Sequence, residues 1–163
     1  MALRLMLDSN IADQLIAHPE LATKLIALDG AGAIYCTRTY VQDNEHAQTR
    51  DPAKRRLLRE SFGSFDTADP GVFVLDRPNL GVARFGSPES DPVYDAVHGA
   101  NPKHIEDGII AATALLDAHV LVTEDTRLAK KTLAAKGQVW TFADLKAYVE
   151  AEHAKRFPSS DPK

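Results

Sequence analysis

Cysteine and long hydrophobic runs are both scarce in this sequence. The chain has one cysteine, Cys36, which excludes an internal disulfide and leaves too few thiolates for a cysteine-based zinc site. We therefore predict that Cys36 is a small buried residue in a strand. The apolar run at the N-terminus stops at Asp8, before it reaches the length of a signal-peptide core or a membrane span. We expect a cytoplasmic protein with no membrane contact.

Basic residues are in the minority. The sequence has 19 lysine and arginine residues against 23 aspartate and glutamate residues, a net charge of -4. Taken alone, this charge argues weakly against a nucleic-acid partner, because phosphate binding is electrostatic. The positive charge is concentrated, however, in residues 50–59 and 127–136. Local potential steers an anionic ligand more than net charge does, so an RNA partner stays open.

Length and composition indicate one globular domain with its own core. The chain has 163 residues, of which 44% are hydrophobic and 26% charged, which leaves no room for a second domain. We predict a single domain over residues 1–157 and a polar C-terminal tail over residues 158–163. No internal repeat is found, and no low-complexity segment apart from the tail.

Short apolar runs alternate along the chain with segments of helical periodicity. The runs predict strands at 3–7, 33–36, 72–75, 120–122 and 139–140. Helices are predicted after residues 8–10, over 20–28, 39–48, 105–116 and 128–136, and from 51 and 142 onward; residues 76–103 are predicted to be mostly loop. The strands are apolar throughout rather than alternating, which is typical of a buried parallel sheet. We predict an α/β protein, a three-layer α/β/α domain with a mainly parallel central sheet.

Four acidic residues fall where such a sheet would bring them together. Ligand sites form beyond the carboxyl ends of parallel strands, and Asp8 and Asp125 follow two predicted strands. Glu45 lies on the helix after the second strand, and Asp107 lies near the start of the helix that precedes the strand at 120–122. Carboxylates so close repel one another unless a cation neutralises them, and their oxygens suit Mg²⁺ or Mn²⁺. Such ions activate water for attack on a phosphodiester, so the pattern predicts a nuclease.

Each acid also has a simpler interpretation. Asp8 could serve only as a helix-capping residue, Glu45 and Asp107 as solvated charges on helices, and Asp125 as a turn residue. The joint placement of Asp8 and Asp125 after strands favours a functional role. Asp43 competes with Glu45 for the second acidic position.

Four motifs in the sequence resemble those of the PIN domain. They are Leu-Asp-Ser-Asn-Ile at 7–11, Val-Gln-Asp-Asn-Glu at 41–45, Asp-Gly-Ile-Ile-Ala-Ala-Thr-Ala at 107–114, and Leu-Val-Thr-Glu-Asp at 121–125. The last two are the most specific, and together the motifs span most of the chain. The resemblance implies a Mg²⁺- or Mn²⁺-dependent endoribonuclease, and bacterial members of the family are often toxins of toxin-antitoxin pairs. It therefore implies an RNA substrate, with an antitoxin protein and a second copy of the chain as further partners.

The resemblance also assigns roles to individual residues. It implies that the metal ligands or bases are Asp8, Glu45, Asp107 and Asp125. It favours Glu45 over Asp43, because the spacing from Gln42 to Glu45 matches the family pattern. The residues that it implies to orient the carboxylates or the water are Ser9, Asn10 and Thr123.

Substrate binding is predicted from charge rather than from a motif. The basic residues expected to bind RNA phosphates on either side of the scissile bond are Arg50, Arg55, Arg59, Arg127 and Lys130. Two other functions stay open at this point. One is a metal-dependent phosphatase, although the sequence lacks the paired Asp-x-Asp start of the commonest aspartate phosphatases. The other is a non-catalytic RNA- or protein-binding module on the same fold.

Overall fold

A computed structural model describes residues 2–68, 105–116 and 119–158 of the chain. In these ranges strands and helices alternate, in the order β1 Leu3–Leu7, α1 Ser9–Ala17, α2 Pro19–Gly30, β2 Ile34–Arg38, α3 Tyr40–Ala47, α4 Pro52–Phe62, β3 Asp66–Thr67, α5 Ile105–Leu116, β4 Val120–Val122, α6 Thr126–Ala134, β5 Gln138–Trp140 and α7 Phe142–Arg156. The strand predicted at 72–75, the loop predicted at 76–103 and residues 159–163 of the predicted tail lie outside the described residues.

The five described strands form one parallel sheet in the order β3-β2-β1-β4-β5. The central strand β1 pairs with β2 on one side and with β4 on the other, so Leu5 lies between Cys36 and Val120. The chain builds the sheet outwards from β1 to β3, then returns to the other side of β1 and continues through β4 to β5. The boundary between β1 and β4 is therefore the switch point, where open α/β sheets form their ligand sites.

Two separate cores cover the two faces of the sheet. Successive side chains of a strand point to opposite faces, and Leu5 and Leu7 belong to one core while Met6 belongs to the other. Helices α1, α2, α4 and α7 contribute to the first core, and helices α5 and α6 to the second. The domain is thus a three-layer α/β/α structure, as the sequence predicts. Cys36 is fully buried in β2, which confirms its predicted position.

Helix starts follow the capping residues that the sequence shows. Asp8 caps α1, Pro19 occupies the first turn of α2, and Asp51 caps α4 by accepting hydrogen bonds from two backbone N–H groups. The two aspartate side chains satisfy donors that have no partner within the helix itself, and Pro19 has no N–H that would need one. Among the described residues, no helix is both long and apolar enough to cross a membrane.

Several elements differ from the prediction by one or two residues at their ends, and one strand was not predicted. The helix predicted at 128–136 is Thr126–Ala134, because the side chain of Asp125 caps it two residues earlier. The strand β3, Asp66–Thr67, was not predicted at all. Both of its residues are exposed, and it is held by pairing with β2, so it lacks the apolar run from which strands are recognised.

Helices α2 and α6 end in the same hydrogen-bonded motif, with one residue in the left-handed conformation. In α2 that residue is Gly32, with φ 67°, and in α6 it is Lys136, with φ 64°. Glycine adopts this conformation without steric cost, whereas other residues do not. Gly137, next to Lys136, is required for a different reason. A Cβ at this position would lie 2.7 Å from Cγ2 of Thr132, which is too close for any side chain.

Candidate functional site

Asp8 follows β1 at the switch point of the sheet. Its side chain is buried, with 7% exposed. One carboxylate oxygen accepts from the backbone N–H of Ser9 at 2.7 Å, and the other accepts from the amide of Asn10 and the hydroxyl of Thr123, both at 2.6 Å. Three donors hold the carboxylate in one orientation. The helix-capping role considered for Asp8 is thus present, together with a buried and fixed carboxylate at the predicted place.

Thr123 joins the loop after β4 to the start of α1. Its buried hydroxyl donates to Asp8 and accepts from the Asn10 amide at 3.2 Å and from the backbone N–H of Asp125 at 3.0 Å. The amide oxygen of Asn10 in turn accepts from the backbone N–H of Glu124 at 3.1 Å. The structure therefore brings Asn10 and Thr123 together around Asp8, at the positions where the sequence predicts supporting residues.

Ser9 connects Glu45 to the Asp8 site. The hydroxyl of Ser9 donates a hydrogen bond to Oε2 of Glu45, while its backbone N–H binds Asp8. Ser9 thus bridges the two carboxylates. Two of the four predicted acids, one after β1 and one on α3, lie on either side of a single serine.

Gln42 fixes helix α3 relative to β1. Its side chain is fully buried. Its Oε1 accepts from the backbone N–H of Thr39 at 2.6 Å, and its Nε2 donates to the carbonyl of Leu7, the last residue of β1. Glu45 follows three residues later on the same helical face. Gln42 was not among the predicted site residues; the capping-box signature Thr-x-x-Gln indicates its contact with Thr39, but no local pattern indicates its contact with Leu7.

Asp43 faces away from the Asp8 site. Its carboxylate pairs with Nε of Arg38 at 2.6 Å. The same guanidinium donates to the carbonyl of Phe62, at the end of α4, and to the carbonyl of Phe65, just before β3. Of the two acids that competed for the second position, the structure places Glu45 near Asp8 and uses Asp43 to hold Arg38.

Asp125 acts as the N-cap of α6. Its Oδ1 accepts from the backbone N–H groups of Arg127 at 2.8 Å and Leu128 at 3.0 Å, and its Oδ2 lies 3.6 Å from the Arg127 guanidinium. Burial acts to raise the pKa of Asp125, but these donors and the Arg127 charge outweigh it and hold the pKa below its usual value. The carboxylate is therefore directed to α6, and it is linked to the Asp8 site through its backbone N–H and Thr123.

Asp107 lies in the first turn of α5, and its side chain is outside the described part of the chain. Within that part, no group of three His, Cys, Asp or Glu side chains is placed to hold a metal ion. Asp8 and Glu45 are two of the four residues that the sequence predicts as ligands, and both are carboxylates. All-oxygen ligands are those that Mg²⁺ and Mn²⁺ prefer, so the chemistry of the described pair fits such an ion.

The predicted RNA-binding residues fall into three groups. Arg55 and Arg59 line a cleft between α3 and α4. Arg127 lies beside Asp125. Arg50 and Lys130 are exposed, on the segment before α4 and on α6 respectively. All five are therefore on the surface or at a cleft, and the structure groups only Arg55 and Arg59 in one cleft.

Neither of two comparisons with known proteins gives a relative. No protein-family model matches the chain, and a search of curated proteins gives no match. What the site can do therefore follows from its residues and their geometry.

Proposed function

We propose that this protein is a metal-dependent endoribonuclease that hydrolyses RNA phosphodiester bonds in the cytoplasm. The observation that carries the proposal is the meeting of Asp8 and Glu45 at the switch point, bridged by Ser9. The resemblance of four sequence motifs to the PIN domain supports RNA as the substrate. It also supports a toxin role, with an antitoxin protein and a second copy of the chain as partners.

The proposed cation is Mg²⁺ or Mn²⁺, held by Asp8 and Glu45 with Asp107 as a third carboxylate. When bound, such an ion activates water and stabilises the leaving oxygen of a phosphodiester. Asp8 and Glu45 lie on either side of Ser9, and their oxygens are the hard ligands that such an ion prefers, which supports this assignment. Asp125 enters the proposal with a smaller role, since its carboxylate already caps α6.

The surrounding residues prepare the site before any ligand arrives. Asn10 and Thr123 hold one oxygen of Asp8, and Ser9 holds the other through its backbone while its hydroxyl orients Glu45. Side chains locked by such hydrogen bonds need little rearrangement when they bind a ligand. The network therefore favours rapid and geometrically defined binding at Asp8 and Glu45.

The proposal is tested by RNA cleavage with a matched pair of variants. A panel of structured and unstructured RNAs is incubated with wild type, Asp8→Asn and Asp51→Asn, in Mg²⁺, in Mn²⁺ and in EDTA. Asp51 is the control because it also caps a helix, and asparagine preserves a cap while removing the charge. We expect metal-dependent cleavage by wild type and Asp51→Asn, and loss of cleavage in Asp8→Asn. Equal cleavage by all three proteins would contradict the proposal.

Thermal unfolding separates the nuclease from its alternatives. A ligand that binds only the folded state raises the unfolding temperature, so Mg²⁺ or Mn²⁺ should stabilise wild type and Asp51→Asn more than Asp8→Asn. Stabilisation by metal together with hydrolysis of a phosphomonoester, but not of RNA, would indicate a phosphatase. RNA binding without metal stabilisation and without cleavage would indicate a binding module.

A further inference from the structure

A cleft of about 250 Å³ lies between α3 and α4, outside the Asp8 site. We call it the α3–α4 cleft; the polar side chains that line it are Arg38, Asp43, His46, Arg55 and Arg59. Consecutive residues of an α-helix are rotated by about 100°. His46 therefore faces another side of α3 than Glu45, and α3 forms a shared wall between the acidic site and the cleft.

The cleft carries more positive than negative charge. Arg38 and Asp43 form an ion pair at 2.6 Å and cancel each other. Arg55 and Arg59 have no carboxylate within ion-pairing distance among the described residues. Within the described residues, Arg55 and Arg59 make one side-chain hydrogen bond, a 3.5 Å contact from Arg55 to the carbonyl of Ala47. In the part of the chain that the structure describes, two guanidinium charges therefore lie close together without a neutralising carboxylate.

His46 adds an unmet hydrogen bond to the same cleft. Its ring packs edge-on against Phe62, with 5.2 Å between the ring centroids. Its Nε2 is shielded from solvent and has no hydrogen-bond partner among the described residues. A buried polar atom left unpaired costs about 1–3 kcal/mol. Because this atom is shielded from solvent, an acceptor brought by a ligand relieves that cost only if the His46 ring turns towards the cleft.

We propose that the α3–α4 cleft binds a phosphate group of the RNA backbone, with Arg55 and Arg59 neutralising its charge and His46 lining its inner wall. The identification of the phosphate as part of RNA rests on the proposed function. Guanidinium groups bind phosphate oxygens through paired N–H donors. The cleft is smaller than the pockets of about 300–1,000 Å³ that enclose whole small molecules, so it suits one phosphate rather than a nucleotide. Because α3 also carries Glu45, this phosphate would belong to the segment next to the scissile bond.

The cleft is tested by NMR with inorganic phosphate in EDTA, against sodium chloride of equal ionic strength. The signals followed are the side-chain Nε–H groups of Arg55 and Arg59 and the backbone amide of His46. We expect saturable shifts of all three with phosphate only. Arg59→Gln should weaken phosphate binding about tenfold, the loss expected for one charged hydrogen bond. The control is Arg56→Gln, which removes the same charge from the same helix outside the cleft, near Glu60, and should change binding less than about twofold.

The outcomes for the cleft and for the nuclease are distinguishable. No saturable shift with phosphate, or equal weakening in Arg59→Gln and Arg56→Gln, would overturn the cleft whether or not the protein cleaves RNA. If RNA is cleaved, Arg59→Gln should raise the KM for RNA about tenfold with kcat unchanged, since it removes ground-state and transition-state binding alike. An unchanged KM alongside a confirmed phosphate site would overturn the assignment to RNA.

Discussion

The hydroxyl of Thr123 donates a 2.6 Å hydrogen bond to the carboxylate of Asp8, a residue 115 positions earlier in the chain. This contact joins the carboxyl ends of β1 and β4, the two strands on either side of the switch point. The same hydroxyl accepts from Asn10 and from the backbone N–H of Asp125. One small side chain therefore holds the acidic site and the start of α6 together.

Thr123→Val should lower the free energy of unfolding by about 1–3 kcal/mol. The substitution removes one donor to Asp8, one of the two acceptors of the Asn10 amide and the acceptor of the half-buried Asp125 backbone N–H. Urea unfolding measures the effect. The control is Thr132→Val, since Thr132 is equally buried but bonds only the i−4 carbonyl of its own helix, and its change should stay within about 1 kcal/mol. Similar losses in both variants would show that the Thr123 hydrogen bonds contribute no more to stability than the single bond of Thr132.

Glu45→Gln should lower RNA cleavage but not stability, whereas Asp43→Asn should lower stability but not cleavage. Glu45→Gln removes a proposed ligand charge, so we expect RNA cleavage to fall at least about 100-fold with stability nearly unchanged. Asp43→Asn weakens the pair with Arg38, whose side chain is 13% exposed while that of Asp43 is 43% exposed. We therefore expect a loss of about 1 kcal/mol in stability with cleavage retained. Loss of cleavage in Asp43→Asn alone would make Asp43 the second acid.

Asp125→Ala should lower stability by about 1 kcal/mol, whereas Asp125→Asn should retain the cap of α6. Because the pKa of Asp125 is lowered in the folded state, its charge stabilises the fold above its ordinary value of 3.8 and loses that effect as pH falls through the lowered pKa. Urea unfolding of wild type and Asp125→Asn from pH 7 to pH 2 should give a constant difference above about pH 5 that shrinks below about pH 4. A constant difference down to pH 2 would show that the Asp125 charge does not stabilise the folded state. Cleavage should fall less in Asp125→Asn than in Asp8→Asn.

Lys136→Gly should stabilise the protein by about 1 kcal/mol. Lys136 has φ 64°, a conformation that strains residues with a Cβ and is relieved by glycine. Lys136→Ala, which removes the charge and keeps the strain, should bring no gain. Gly32→Ala should lower the free energy of unfolding by a similar amount, since Gly32 holds the same left-handed position after α2. Unfolding in urea measures all three, and a gain in Lys136→Ala equal to that in Lys136→Gly would show that charge, not conformation, is responsible.

The layers of the fold follow from the sequence because the central strands are buried on both faces. Residues such as Leu5 and Leu121, fully buried in β1 and β4, give continuous apolar runs that are visible without any knowledge of neighbours. Strand β3 was missed because its two exposed residues form a strand only through β2. The backbone N–H of Ala68, which follows β3, donates to the carbonyl of Arg38 at 2.7 Å, a contact that no local pattern shows.

The candidate site was predictable in position but not in detail. Asp8 ends an apolar strand, so its place at the sheet edge could be inferred from the sequence. Whether Asp43 or Glu45 turns towards it depends on the rotation of α3, and that rotation is set by the contact of Gln42 with Leu7, 35 residues away. Asp125 follows a strand and also precedes a helix, so the sequence allows it to be either a site carboxylate or an N-cap. Only the hydrogen bonds of the folded chain show that its carboxylate caps α6.

The strand order has a consequence for how the protein is made. β1 lies between β2 and β4. Strand β2 can pair with it early in synthesis, whereas β4 emerges from the ribosome much later. Domains fold as units during synthesis, and Asp8 receives its Thr123 hydrogen bond only after residue 123 has been made. In a ribonuclease, the nascent chain would therefore leave nearby messenger RNA untouched until β4 has emerged, a delay that the order of the strands alone imposes.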